Sequence, residues 1–298
     1  MPELGGWLLR YGRHVEGHGP VEVLHHEAGC EQRYPDMQVG NPLMFPLTGY
    51  STHAGRADRY VWEGTERCMP LHGFARRLPW TVDSRSDVTT TLSLAPCRST
   101  WECYPFAFHL TLRYALCDGA LASRLIIKNA GDRPMPFSAG FHPYIRTPLT
   151  SVGRRDCCFA KLPAAREYRA TSVGVVADAD CSPVCLRASE IGAPARHFGD
   201  VADYRAEIDD VLGGVKATIQ ADFSPSFKCL TAWSPGHGAP FCCIEPRTAL
   251  PDPFSPGVRN QLIVLAPGAT FVAAMVLDAV VSSGLTEVKS TASGSVSR

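Results

Sequence analysis

Tyr104-Pro-Phe-Ala-Phe-His-Leu-Thr-Leu-Arg-Tyr-Ala-Leu116 decides how the chain is read. Phe106, Phe108, Leu110, Leu112, Tyr114 and Leu116 share one parity, while Ala107, His109, Thr111, Arg113 and Ala115 share the other. Side chains of a strand point alternately to its two faces, so this pattern predicts a strand with one face buried and one in water. Such half-buried strands belong to antiparallel sheets. Asp118-Gly119 supplies a hairpin turn. Residues 121–128 return as the partner strand, and Asn129-Ala-Gly-Asp-Arg-Pro134 ends the hairpin with turn-tolerant residues.

The same grammar recurs on both sides of this hairpin. Residues 135–138 open another short strand. Val215, Ala217, Ile219 and Ala221 alternate with Lys216, Thr218, Gln220 and Asp222. Residues 229–233 and 241–245 flank the turn-rich Ser234-Pro-Gly-His-Gly-Ala-Pro240, and Pro246 is expected to end the second of these strands. Residues 261–265 and 270–277 flank the turn Ala266-Pro-Gly268. No stretch of 12 or more residues carries a 3.6-residue apolar stripe, and 26 glycines and 24 prolines punctuate the chain throughout. The prediction is an all-β sandwich formed as a single domain over residues 1–281, with 282–298 a small, polar C-terminal tail.

Charge and composition narrow the function. The 298 residues carry 29 Lys+Arg and 29 Asp+Glu, a net charge of zero, which lacks the basic footprint of a nucleic-acid binder or a polybasic membrane protein. The apolar run 271–277 is far too short to span a bilayer as a helix. Twelve cysteines are sparse for a disulfide scaffold, and the adjacent pairs Cys157-Cys158 and Cys242-Cys243 suit reduced thiols. With neither a basic nor an apolar leader at the N-terminus, a cytoplasmic protein is expected. Phosphate loops, dinucleotide fingerprints and His-Glu-x-x-His are missing; His26-Glu27 starts that last motif, but position 30 is Cys. Cys181-x-x-x-Cys185 has no matching second pair. The expectation is therefore chemistry without a metal or organic cofactor.

Three polar constellations stand out. Glu245 follows the apolar run Phe241-Cys-Cys-Ile244, where a carboxylate is costly unless it is partnered or kept protonated. A general base and an ion pair with Arg247 or a distant arginine both satisfy that context. His142 sits in Phe141-His-Pro-Tyr144 after a strand, so it is either a core histidine held by a carbonyl or an imidazole facing a pocket. His72 and Arg76 share the loop Leu71-His-Gly-Phe-Ala-Arg-Arg77, with Trp80 close behind. Such a set suits a carbohydrate site, where donors meet hydroxyls and an aromatic face meets the sugar ring; a solvated basic loop is the plainer alternative. By strand parity Cys243 shares the face of Glu245 and Cys242 that of Ile244, so Cys243 is expected to be a packing residue beside the site.

These segments, with Leu43-Met-Phe-Pro-Leu-Thr-Gly49, Tyr104-Pro-Phe-Ala-Phe108, Trp233-Ser-Pro and Leu265-Ala-Pro-Gly268, resemble in kind and order the aldose 1-epimerase (galactose-mutarotase-like) family, in its bacterial broad-specificity branch. The resemblance runs over roughly residues 40–278. It implies a large twisted antiparallel β-sandwich, with a small-molecule sugar bound in a cleft on one face. It implies an isomerase that interconverts the α and β anomers of a hexose by general acid/base ring opening and closure. His142 matches the family's acid and Glu245 its base, while His72 and Arg76 match sugar contacts. Tyr50 stands where relatives carry an arginine, and the family's sugar-binding aspartate falls at Asp210, with Asp209 and Asp203 as alternatives. A hexose-6-phosphate 1-epimerase, with Arg56, Arg59, Arg76 and Arg77 converging on the phosphate, and a non-catalytic sugar-binding protein are the competing readings.

Overall fold

The structure, a computed structural model, describes residues 1–163, 166–171, 174–180, 183–201, 205–221 and 226–282. The deciding hairpin is present as Phe108–Cys117 and Ala120–Asn129, paired antiparallel from Phe108 opposite Asn129 to Cys117 opposite Ala120. Leu110, Leu112, Leu125 and Ile127 are fully buried from one face, as the alternation requires. At about 1.5–3 kcal/mol for each large apolar side chain withdrawn from water, that face alone holds the hairpin in the core.

The hairpin lies within a nine-stranded sheet. Its strand order is Val184–Arg187, Cys158–Leu162, Arg205–Asp210, Val215–Ala221, Thr270–Val281, Ala120–Asn129, Phe108–Cys117, Thr89–Leu94 and Thr81–Arg85. A second, eight-stranded sheet runs through Arg166–Thr171, Arg196–Gly199, Cys229–Trp233, Phe241–Arg247 and Gly140–Phe141, with Tyr144–Arg146 also paired to Phe241–Arg247. All of these strand pairs are antiparallel. One apolar cluster joins the two sheets, so the all-β architecture has its core between them. The one α-helix among the described residues, Arg98–Cys103, is six residues long. No helix of those residues is long and apolar enough to cross a membrane.

One turn joins two different ladders, and one strand runs further than expected. Residues 261–265 and 270–277 do not form a hairpin. Ile263–Leu265 pairs with Met135–Phe137, whereas Thr270–Val281 is a central strand between Val215–Ala221 and Ala120–Asn129. Asn129 explains the divergence. Its amide donates to Leu265 O (2.9 Å) and Arg133 O (2.8 Å), and its carbonyl accepts from Gly268 N–H (3.0 Å). The turn is thereby tied to the end of the long hairpin and passes the chain from one ladder to another. Likewise Pro246 does not end its strand, which continues to Arg247. On one side the neighbour changes from Tyr144–Arg146, opposite 241–243, to Gly140, opposite Arg247. The proline falls in that gap, where the ladder is already interrupted.

Phe45 ties the core to the surface loop that carries His72. Its ring meets those of Phe74, Tyr104, Phe108 and Phe137 at centroid distances of 5.3–5.9 Å. Its carbonyl accepts from Phe74 N–H (3.0 Å) and Ala75 N–H (3.1 Å). Gly73, at φ 74°, passes so close that a Cβ there would stand 2.2 Å from that same oxygen, so only glycine fits.

Candidate active site

A cavity of about 680 Å³ opens on the eight-stranded sheet, and His72, Arg76, His142, Glu245, Arg247 and Tyr50 are among its lining residues. Phe241–Arg247 supplies the floor. Period-2 alternation puts Cys243, Glu245 and Arg247 on one face, and the carboxylate of Glu245 is 1% exposed. Arg247 Nε (3.1 Å) and Nη2 both donate to Glu245 Oε2. The other oxygen, Oε1, lies 3.4 Å from His142 Nε2.

His142 occupies the short connection between Gly140–Phe141 and Tyr144–Arg146. Its backbone N–H is shared by Pro42 O and Asn41 Oδ1, each at 3.2 Å. Its ring stacks on Tyr144 (4.7 Å, 14°) and meets the edges of His72 (5.0 Å) and Trp233 (6.1 Å). The buried Nδ1 has no hydrogen-bond partner among the described residues. Burial pushes the imidazole down to about 4; Glu245 opposes that shift, while Arg247 and Arg76 add to it. His142 is therefore neutral at pH 7, whereas the acid role calls for the imidazolium.

His72 is held by a reciprocal pair with Gly49. Its backbone N–H donates to Gly49 O (2.7 Å), and its Nδ1 accepts from Gly49 N–H (3.1 Å). An accepting Nδ1 places the ring proton on Nε2, which leaves that atom as a donor. Burial, then the neighbouring His142 and Arg247, hold His72 well below the usual histidine range. Arg76 sits on the single turn Ala75–Arg77, where Trp7 Nε1 donates to Arg76 O (3.0 Å) and Trp80 Nε1 to Ala75 O (2.9 Å). Its buried Nε has no partner among the described residues, and Nη2 lies 3.8 Å from Asp36 Oδ1. Tyr50 is half-buried on the wall. Cys243 packs with Tyr144, Phe241 and Trp233, and burial holds its thiol well up; Cys242 points into the main core. Both are free thiols.

Of the aspartates expected to bind the sugar, neither Asp210 nor Asp209 lines this cleft. Asp210 Oδ2 accepts from Thr150 N–H and Oγ1 (both 3.0 Å), and Oδ1 accepts from Gly213 N–H (2.9 Å). The carboxylate is spent on holding the turn after Arg205–Asp210 in the nine-stranded sheet. Asp209 is paired with Lys161 Nζ and Ser282 Oγ (each 2.7 Å), and Asp203 lies outside the described residues. Of the arginines expected to converge, only Arg76 lines the cavity; Arg56 pairs with Glu66, and Arg77 reaches Asp36 (3.1 Å).

The cleft also holds residues that the sequence reading did not assign to it. Arg247 entered only as a partner for Glu245, although the parity that places Cys243 beside Glu245 places Arg247 there too. Asp36 lies on the rim with no local sequence signal. On the far wall Arg196 grips Glu167 through two bonds of 2.7 Å between adjacent strands. His197, beside it, shares a hydrogen bond with Thr231 Oγ1 (3.0 Å), and burial pushes its ring down to about 3.

Residues 52–154 match the sequence profile of the aldose 1-epimerase family, in agreement with the resemblance read from the sequence motifs. Among solved structures the chain is similar to the Slr1438 protein of Synechocystis sp. PCC 6803: 24% identity, TM-score 0.76, with 94% of this chain and 90% of that one covered. A galactose mutarotase-like protein from Lactobacillus casei is 24% identical with TM-score 0.74, over 93% of this chain and 95% of that one. Another, from Clostridium acetobutylicum, is 16% identical with TM-score 0.78, over 94% and 90%. At these identities the likeness is one of fold. No curated protein sequence matches the chain.

Proposed function

We propose that the chain is an aldose 1-epimerase, which opens and recloses the ring of a free hexose through Glu245 and His142. One observation carries this reading: a buried carboxylate with one oxygen gripped by Arg247 presents the other 3.4 Å from a histidine, on the floor of a cleft. Acid–base chemistry on a hemiacetal needs that pairing of groups. Oε1 of Glu245 takes the proton of the anomeric hydroxyl while the His142 imidazolium gives one to the ring oxygen. The C1–O5 bond breaks, leaving an aldehyde, a protonated Glu245 and a neutral His142. Rotation about C1–C2 turns the other carbonyl face inward. Closure reverses both transfers and restores the starting protonation. Each positioned transfer is worth on the order of 10²–10⁴-fold in rate.

Because His142 rests as neutral imidazole, the form that donates is a minority favoured by the charge of Glu245. His72 Nε2–H and the Arg76 guanidinium are placed to bind hydroxyls, and Trp233 and Tyr144 offer aromatic faces to the ring. A free sugar is our first reading because Arg56, Arg59 and Arg77 are not among the lining residues, and two of the arginines that are, Arg196 and Arg247, are paired with Glu167 and Glu245; Arg76 and Arg169 also line the cleft. Polarimetry tests both points. Mutarotation of glucose or galactose should accelerate in proportion to protein concentration, with glucose 6-phosphate the poorer substrate. A preference for the phosphosugar would overturn the substrate, and acceleration of none would overturn the activity.

A further inference from the structure

We propose that Arg247 is the positioning residue of this site: its guanidinium fork holds one carboxylate oxygen of Glu245, so that the other alone faces His142 and the cleft. Arg247 and Glu245 are two residues apart on one strand face, so the strand itself presents both side chains together. Nε and Nη2 both donate to Oε2, a planar fork on a single oxygen, and both side chains are almost wholly buried, at 4% and 1% exposure. Nη1 lies along the Gly49 backbone, where a Cβ would come within 3.2 Å of it; glycine leaves the room that the fork needs. The backbone of Arg247 is fixed on both sides, opposite Cys229 and Gly140.

The consequence for the pair is geometric. A buried carboxylate gripped through one oxygen cannot swing, so Oε1 stays on the side of His142 Nε2. Among the described residues, the other charged or titratable groups around these side chains are His72 and Arg76 from the loop after Leu71, Tyr144 and Cys243 from the sheet, and His197 and Cys229 beside Arg247. None of these has a hydrogen bond to Glu245 among the described residues, which leaves the grip to Arg247. Lysine could supply the charge but not the fork.

The kinetic part of the test rests on the proposed activity; the spectroscopic part does not. Arg247→Met should lower kcat at least about tenfold while KM stays within about threefold, and should cost nothing further on a Glu245→Gln background. NMR titration should show His142 shifted in Arg247→Met, because Arg247 both depresses it directly and holds beside it the Glu245 carboxylate that raises it. Arg247→Lys should keep the His142 titration close to wild type yet still lower kcat several-fold, separating the fork from the charge. If the methionine variant does not fold, the lysine variant decides alone. Wild-type turnover in Arg247→Lys, or an equal loss on both backgrounds in Arg247→Met, would overturn the assignment. If the wild type has no mutarotase activity, the epimerase reading fails on its own, and an unmoved His142 in Arg247→Met would then sink the Arg247 inference separately.

Discussion

Two buried carboxylates on two sheets set a carboxylate that serves the fold beside the one proposed to react. Asp210 and Glu245 are both almost wholly withdrawn from water on antiparallel strands. Asp210 spends both oxygens on its own surroundings, two bonds from Thr150 and one from Gly213, and does not line the cleft. Glu245 spends one oxygen on Arg247 and turns the other to a histidine and an open cleft. A buried charge has to be compensated in either case. Function requires that the compensation be incomplete in one chosen direction.

The comparison is broken most severely by exchanging acid for amide at each site. Glu245→Gln should cut kcat for mutarotation at least about 10²-fold, and His142→Asn likewise, with the folded state retained. Asp210→Asn should leave kcat within about threefold. It should instead cost about 1–3 kcal/mol of stability, since one acceptor becomes a donor facing N–H groups. A denaturant titration beside a rate assay checks both. An Asp210→Asn variant that folds normally but is inactive would move the aspartate back into the site.

The second contrast is in pH response, because the strongly depressed histidines cluster around the cleft. His142 and His197 hold folded-state values of about 4 and about 3, below the ordinary 6.5 of an unfolded chain. The unfolded chain then binds protons that the folded one refuses. Stability is complete above pH 6.5 and lost as the pH falls toward 4, by about 2 kcal/mol per histidine at pH 5. Thermal denaturation at pH 7 and 5 measures this, and His197→Gln should flatten the dependence; an unchanged slope would place the titration elsewhere. Activity should run the other way at first. As pH drops from 8 to 6 the imidazolium fraction of His142 grows, so kcat/KM above the uncatalysed background should rise, by up to about tenfold per unit. A rate that falls over that interval would contradict a neutral resting His142.

How far the sequence alone reaches differs between the same two regions. The hairpin Phe108–Cys117 and Ala120–Asn129 is legible because one face meets the core and the other meets water, which writes an alternation into the residues. Phe241–Arg247 is buried along its whole length, so no alternation survives there, and only the polar Glu245 and the proline after it mark the position. The partner of a strand is less legible than the strand itself, and Ile263–Leu265 pairs with Met135–Phe137 because Asn129 redirects the following turn. The role of a carboxylate is the least legible of all. Thr150, which satisfies Asp210, lies sixty residues away, and nothing next to Asp210 announces it. Arg247 was within reach, since parity alone puts it beside Glu245.

The smallest expected effect concerns the thiol beside the base. Cys243 is buried with Tyr144, Phe241 and Trp233, and neither of the proposed proton transfers uses it, so Cys243→Ser should keep kcat within a few-fold. Loss of activity as complete as in Glu245→Gln, in a folded variant, would replace the carboxylate mechanism with thiol chemistry.

The central claim is that the open oxygen of Glu245, with His142, moves protons on a hexose ring. Exchange NMR of glucose at anomeric equilibrium tests it most directly, because it reads the interconversion rate without any coupling enzyme. The account predicts α–β exchange that rises linearly with wild-type protein and returns to the uncatalysed rate with Glu245→Gln. Exchange that is equally fast with Glu245→Gln, or that stays at the solvent rate with wild type against every aldose tried, would contradict it.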